Sequence, residues 1–145
     1  MRALLATIGI LGMALSLGAL QAPGGATYVD HDKVAAAITN GGQLASGSDF
    51  TVSILKRTAA GQVEIHDKET DIFYILDGEA VFVTGGTMVG GKVSRPNQQL
   101  GTDIQGGQVH RLVKGDVITV PAGVPHWFKE IIKPVTYHTV KVIKP

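Results

Sequence analysis

The sequence predicts an all-β domain, a sandwich or barrel with one short N-terminal helix. Three observations lead to this prediction. From Phe50 onward the apolar segments are short, glycine or proline turn signals separate them, and only one earlier segment of the mature chain has helical character. With 145 residues, 44% of them hydrophobic and 17% charged, the chain suits one packed domain.

Residues 1–26 predict a secretory signal peptide, which leaves a mature domain at 27–145. The segment from Ala3 to Leu20 is nearly all apolar or small, one arginine precedes it, and Gly24 and Ala26 offer small residues for cleavage. The alternative is an uncleaved membrane anchor, because about 18 apolar residues are also the lower limit for spanning a bilayer. We expect cleavage, and therefore a periplasmic or secreted protein with no stable membrane span.

The mature chain begins with a short predicted strand at Tyr28-Val29 and one helix. Asp30 can cap this helix, which runs through about Thr39 and ends at Asn40-Gly41-Gly42. Strand patterns follow, bounded by turn residues. The predicted strands are Thr51–Lys56, Gln62–His66, Ile72–Leu76, Ala80–Thr84, Val109–Val113, Val117–Val120, Trp127–Ile132 and Val135–Ile143.

One stretch, Gly85 to Gly107, interrupts this series of strands. It carries seven glycines and little apolar periodicity, so it is predicted to be a long loop. Loops of this length are uncommon inside compact domains. The stretch is either a lid over a pocket or a solvated excursion without a catalytic part.

Charge and cysteine content restrict the partners and the chemistry. The formal net charge is +1 and the basic residues are scattered, so nucleic acid is not an expected partner and a small molecule is. The chain has no cysteine, which excludes disulfides, thiol catalysis and thiolate metal sites. Any metal ion must be held by imidazole, carboxylate or water.

Two segments predict such a metal site. Glu64 and His66 alternate along a predicted strand, so they share a face with α-carbons about 6.7 Å apart. Asp71 begins the returning strand and can face the same interior, while His126 follows the turn from Pro121 to Pro125. Buried carboxylates are costly as free ions, and a divalent cation compensates their charge. We therefore predict that Glu64, His66, Asp71 and His126 surround one divalent metal ion.

Several roles stay open for individual residues. Glu64 can be a ligand, a hydrogen-bond acceptor beside the ligands or a catalytic base, and Asp71 can reach the ion directly or through water. His138 points inward if the face it shares with the next two alternate valines is the core. His110 is a candidate gate or proton-transfer residue. For both histidines the alternative is a hydrogen-bonded structural role.

Strand parity also predicts residues that line the pocket. Phe73 and Phe128 share parity with Asp71 and His126, and they form either an apolar wall beside the metal or plain core packing. Tyr137 shares the opposite strand face with a lysine four residues later, Lys141. This face is expected to be exposed or part of an interface.

The segment that delivers His126 resembles the second motif of the cupin superfamily. Gly115, Pro121, Gly123 and His126 keep the spacing of that motif, and Glu130 replaces its last asparagine. The first motif is similar with departures: His66 holds its second histidine position and Gly78 its glycine position.

The departures concern two of the four residues that bind metal in the family. Glu64 occupies the first histidine position, and Asp71 occupies the glutamate position. The resemblance spans roughly Ser53 to Val142. It implies a single cupin-type double-stranded β-helix, or jelly-roll, barrel that forms a homodimer.

The resemblance implies a metal but leaves the reaction open. Three neutral histidines and one carboxylate leave a divalent ion about one positive charge, whereas two histidines and two carboxylates neutralise it and make it a weaker Lewis acid. The ion can be manganese, iron, zinc or nickel. We expect a metalloenzyme, an oxygenase, isomerase or lyase, acting on a small oxygen-bearing molecule. The alternative is a non-catalytic module that binds a small molecule or uses metal only for stability.

Overall fold

The structure, a computed structural model, describes residues 25–145, which form one helix and eleven strands. The predicted signal peptide therefore lies outside the described residues except for its last two positions. The helix, α1, is His31–Asn40. The strands are β1 (Gly42–Ser46), β2 (Phe50–Arg57), β3 (Val63–His66), β4 (Glu69–Thr84), β5 (Thr87–Val89), β6 (Lys92–Arg95), β7 (Gln98–Gly101), β8 (Asp103–Gln105), β9 (Gln108–Val113), β10 (Val117–Val120) and β11 (His126–Ile143).

The helix forms where it is predicted. The Asp30 carboxylate accepts a hydrogen bond from the Lys33 amide at 3.0 Å, and Gly41, at φ 76°, donates its N–H to the Ala37 carbonyl at 2.7 Å. The chain before the helix differs from the prediction, because Tyr28-Val29 is extended but forms no strand. The unpredicted β1 instead follows the helix and pairs antiparallel with β2.

The two longest strands, β4 and β11, form the centre of the sheet. They pair antiparallel from His126 opposite Thr84 to Ile143 opposite Glu69. The prediction divided each into two strands at Gly78 and Pro134, which is wrong. Both residues lie at irregularities in the pairing of two continuous strands, where Gly78 has φ 93° and a Cβ would collide with the Pro134 backbone.

The prediction of a long loop from Gly85 to Gly107 is also wrong, because this stretch contains four short strands. Four of its glycines lie between these strands and have positive φ: Gly85, Gly86, Gly90 and Gly106. β5 pairs with β8 in a separate two-stranded sheet, while β6 and β7 form a hairpin that extends the main sheet through β3. The segment is therefore built onto the strand that carries Glu64 and His66.

The sheet encloses one apolar core. β11 pairs with β2, β3 and β4, and β4 also pairs with β9 and β10. The buried core consists of Phe73, Ile75, Ala80, Phe82, Leu112, Val120, Phe128, Val135 and Tyr137. The predicted all-β barrel with one short helix is confirmed. No helix among residues 25–145 is long and apolar enough to cross a membrane.

Candidate metal centre

Glu64 and His66 project from the same face of β3, as their spacing predicts. His66 is 3% exposed, and its Nε2 lies 3.3 Å from Oε2 of Glu64. β3 is fixed on both sides, because Glu64 pairs with His126 of β11 and with Leu100 of β7. Two neighbouring strands thus hold these two side chains in place.

His126 is positioned by the turn that precedes it. Gly123, at φ 82°, donates its N–H to the His66 carbonyl at 2.8 Å, so the turn is tied to the strand that carries the other histidine. The Val124 N–H bonds the Pro121 carbonyl at 3.1 Å. The Nδ1 atom of His126 lies 3.1 Å from the Val124 carbonyl oxygen. A neutral imidazole that donates this hydrogen bond leaves its Nε2 lone pair available to an ion.

Asp71 brings the third segment to the same point. Its side chain is 3% exposed, and Oδ2 lies 3.4 Å from Nε2 of His66 and 3.4 Å from Nε2 of His126. Ligands about 2.1 Å from a tetrahedrally coordinated ion are about 3.4 Å apart. The two separations from Asp71 to the histidines therefore each match one edge of such a coordination polyhedron.

The donor set also fits a divalent ion chemically. One ligand atom each from Glu64, His66 and His126 lies within 4.8 Å of the others, and Asp71 contacts both histidines. Two imidazoles and two carboxylates are ligands that first-row divalent metals accept. The structure thus brings together all four residues predicted from the sequence. Which of them coordinate the ion stays a prediction.

Glu69 is a site residue that the sequence analysis missed. It lies on the opposite edge of the His66 ring, where its Oε2 is 3.6 Å from Nδ1 of His66. That buried Nδ1 has no hydrogen-bond partner among the described residues. A carboxylate behind a ligand histidine is the usual device that directs its other nitrogen toward a metal. The one available signal was the position of Glu69, three residues after His66.

Lys141 also belongs to the site, although the sequence analysis placed it on a face expected to be exposed or at an interface. Its ammonium contacts Oδ1 of Asp71 at 2.6 Å and Oε2 of Glu69 at 2.9 Å. The expectation that Tyr137 and Lys141 face outward is therefore wrong, and Tyr137 is 1% exposed. The strand carries apolar residues on both faces, so alternation alone cannot decide which face is the core. His138 lies on the other face, away from the cavity.

Arg57 and Gln98 also donate hydrogen bonds to Glu64, Arg57 to the oxygen that does not face His66 and Gln98 to the oxygen that does. Nη2 of Arg57 donates to Oε1 of Glu64 at 3.2 Å, and Nε2 of Gln98 donates to Oε2 at 3.4 Å. Burial alone would raise the pKa of Glu64. A hydrogen bond from His66 and the charges of His126 and Arg57 outweigh it and lower that pKa to about 2. Glu64 is therefore an anion over the physiological range.

The pKa of Asp71 is also lowered by its neighbours. Burial acts to raise it, but a hydrogen bond from His126 and the ammonium of Lys141 act more strongly in the opposite direction. Asp71 therefore offers Oδ2 as an anionic donor while Lys141 occupies Oδ1.

The site opens into a cavity inside the barrel. About 50 Å³ of this cavity can be occupied by the centres of water molecules. A single water needs about 10 to 15 Å³ of such space, so the cavity suits a ligand of a few atoms. Phe73 and Phe128 line it and also belong to the core, so both interpretations of these residues hold. The lining residues are Leu55, Arg57, Gln62, Glu64, His66, Asp71, Phe73, His126, Trp127, Phe128, Tyr137, Thr139 and Lys141.

The two other candidate histidines do not line this cavity. Nε2 of His110 lies 2.8 Å from Oγ1 of Thr84, and the ring is part-buried. His138 pairs with Tyr74 and Ile54 in neighbouring strands, and its side chain alternates with the cavity-lining Tyr137 and Thr139. Of the three candidate catalytic residues, Glu64 therefore lies in the site, whereas His110 and His138 lie outside it.

Comparison with known protein families identifies the family of this chain. The family model described as Cupin matches residues 38–136, which is more than half of the chain. The chain belongs to the cupin family. This family match covers the strands that carry all four predicted ligands. No curated protein sequence matches the chain significantly.

Solved structures share the cupin fold at low sequence identity. BH2720 from Bacillus halodurans has 13% identity and a TM-score of 0.58, with 85% of this chain and 86% of that protein covered. TT1209 from Thermus thermophilus has 18% identity and a TM-score of 0.51, covering 71% and 81%. The cupin domain of Schizosaccharomyces pombe Cnp3 has 16% identity and a TM-score of 0.52, covering 72% and 60%. At these identities the likeness shows the fold alone.

Proposed function

We propose that this cupin binds one divalent metal ion through Glu64, His66, Asp71 and His126 and acts as a metalloenzyme on a small oxygen-bearing molecule. The observation that supports this proposal is that Oδ2 of Asp71 lies 3.4 Å from Nε2 of both His66 and His126, while Oε2 of Glu64 lies 3.3 Å from Nε2 of His66. These atoms meet at a cavity with one apolar wall. A bound divalent ion supplies Lewis acidity, because it polarises a substrate oxygen.

Residues of the chain would supply the remaining functions, which are exclusion of water, selection of substrate size and proton transfer. Phe73 and Phe128 exclude water from one side of the cavity, and the limited space selects small substrates. Glu64, held by Arg57, can accept a proton from a substrate only if it is not itself coordinated and if metal binding removes the contacts with His66 and His126 that lower its pKa to about 2. Oxygenase, isomerase and lyase chemistry are all compatible with these tasks.

Metal analysis of the purified protein tests the proposed centre. We expect one metal ion per chain in the wild type and its loss in both His66→Ala and His126→Ala, because each variant removes a nitrogen donor. His138→Ala is the matched control, since it removes a histidine from the opposite face of β11. Full metal content in either of the first two variants would remove that residue from the centre.

Glu64→Gln separates the two roles proposed for this carboxylate. An amide is a weaker ligand and cannot act as a base at neutral pH. Retained metal with lost turnover assigns Glu64 as the base, whereas lost metal assigns it as a ligand. Retention of both metal and turnover would contradict both roles.

A non-catalytic role is the second candidate, and the small volume of the cavity favours it. A module that uses metal only for stability has a closed ligand shell, whereas an enzyme keeps an open position. Water-proton relaxation of the Mn²⁺-loaded protein distinguishes them, because it detects exchangeable water on the ion. Fast exchange supports the enzyme, and its absence supports the stabilised module.

We also propose that the protein is exported. The support is the sequence of residues 1–26, with its apolar run and small residues at Gly24 and Ala26. Expression of the full chain in a bacterium, followed by cell fractionation and intact mass measurement, tests this. A shortened protein in the periplasm or medium is expected, and full-length protein in the membrane fraction would support the anchor instead.

A further inference from the structure

Arg57 lies in the cavity wall with more hydrogen-bond donors than the protein uses. Its guanidinium has five N–H donors. Nε donates to the Tyr137 hydroxyl at 3.1 Å and Nη2 to Glu64 at 3.2 Å, and these are its only hydrogen bonds among residues 25–145. Three N–H groups therefore have no acceptor among these residues, in a side chain that is 28% exposed and lines the cavity.

The position of this guanidinium is fixed from several directions. Besides the two hydrogen bonds, its Cζ lies 5.0 Å from the centre of the Phe128 ring, within range of a cation–π interaction. A Cβ on Gly61 would lie 2.8 Å from Nη1, so this glycine leaves the space that the guanidinium fills. The Gly61 backbone cannot easily yield, because it is hydrogen-bonded to the Phe128 carbonyl and the Trp127 indole. Arg57 is thus held rigidly beside the candidate metal ligands.

The charges around the cavity change sign when an ion binds. Glu64, Glu69 and Asp71 are three carboxylates, and Arg57 and Lys141 are the two cations paired with them. With His66 and His126 counted as neutral, as metal ligands are, one negative charge is uncompensated without metal. A divalent ion would leave one positive charge in excess, at a place that is partly shielded from water. A cavity with this balance attracts a monoanion.

We propose that the substrate of this site carries a carboxylate, which the unused N–H groups of Arg57 bind next to the metal. The guanidinium fork matches the two oxygens of a carboxylate, whereas a lysine offers only a point charge. The apolar surfaces of Phe73 and Phe128 then face the rest of a small substrate. This inference rests on the proposed metal centre, because the excess positive charge requires the ion.

Binding of acetate to the Co²⁺-loaded protein tests the inference without any assay of turnover. Acetate is the probe and acetamide is its neutral counterpart of equal size. The visible absorption of Co²⁺ reports both metal uptake and ligand binding. We expect acetate to change the spectrum in a saturable way and acetamide to leave it unchanged.

The decisive comparison uses Arg57→Gln with Lys56→Gln as the matched control. Lys56 precedes Arg57 in β2, is exposed and bonds only the Thr39 carbonyl among the described residues. We expect Arg57→Gln to weaken acetate binding about 10- to 100-fold, the value of one charge-assisted hydrogen bond, and Lys56→Gln to leave it unchanged. An equal acetate affinity in Arg57→Gln and the wild type would overturn the inference.

If Arg57→Gln no longer takes up cobalt, Arg57→Lys provides the test instead. It keeps a positive charge beside Glu64 but loses the planar fork, so cobalt uptake should persist while acetate affinity falls about tenfold. Unchanged acetate affinity in this variant would overturn the inference. A wild-type protein that takes up no cobalt would overturn the proposed function as well. Uptake of cobalt with equal binding of acetate and acetamide would overturn this inference alone.

Discussion

Replacing Lys141 with methionine tests how much its ion pairs with Asp71 and Glu69 contribute to the stability of the metal-free protein. The ammonium lies 2.6 Å from Asp71 and 2.9 Å from Glu69, and the Asp71 side chain is 3% exposed. Methionine fills a similar volume but leaves both carboxylates without this partner. Removing one side of a buried ion pair costs about 3 to 5 kcal/mol. Because the lysine side chain is 24% exposed, water offsets part of this cost, and we expect a loss of about 2 to 3 kcal/mol.

Urea unfolding in the presence of EDTA measures this loss, with the fluorescence of the single tryptophan, Trp127, as the signal. The free energy of unfolding should fall while its dependence on urea stays the same. Lys133→Met is the matched control, because that lysine is 71% exposed and pairs with Glu79 at 3.5 Å, so its loss should cost less than about 1 kcal/mol. Equal losses in the two variants would refute the reasoning.

Three further predictions concern stability. Phe128→Ala should lower the free energy of unfolding by about 3 to 5 kcal/mol in the same urea assay, because it leaves a cavity in the aromatic core; a loss below about 1 kcal/mol would contradict this packing. Gly78→Ala should cost more than Gly115→Ala, since both glycines have positive φ but only at Gly78 would a Cβ meet backbone, that of Pro134; equal costs would argue against the close approach. Glu64 has a pKa of about 2 in the folded protein, below its ordinary 4.5, so its contribution is complete above about pH 4.5 and is lost as the pH falls toward 2; Glu64→Gln should therefore show a smaller loss of metal-free stability over this range in acid titrations followed by circular dichroism.

Turn chemistry explains why most strand positions could be predicted. Gly115 and Gly123 adopt positive φ, and glycine is the residue that does so at least cost. The same signals mislead inside long strands, because Gly78 and Pro134 indicate turns although β4 and β11 continue through them with only an irregularity in their pairing. Continuity across such an irregularity depends on the partner strand, which local sequence does not contain. For the same reason the pairing of β7 with β3 was not visible in the glycine-rich stretch.

Residues of the candidate metal centre could likewise be predicted only where their placement depends on local sequence. Glu64 and His66 could be placed together because alternation along one strand is a local property. Arg57 and Lys141 could not, since each acts through partners that only the folded sheet brings near. Tyr137, the hydrogen-bond partner of Arg57, is 80 residues away in the chain. In β11, apolar residues on both faces left the inward direction undecided.

The hydrogen bond between the Gly123 amide and the His66 carbonyl joins two segments that are far apart in the sequence, and an ion shared by His66 and His126 would reinforce the same junction. It would act as a cross-link in a chain that has no cysteine and cannot form a disulfide. Closing a loop of about 60 residues removes about 4 kcal/mol of chain entropy from the unfolded state in the simplest polymer model. Because the unfolded chain can also bind metal, the realised gain is smaller. Metal supply would then determine the lifetime of the folded protein as well as its chemistry.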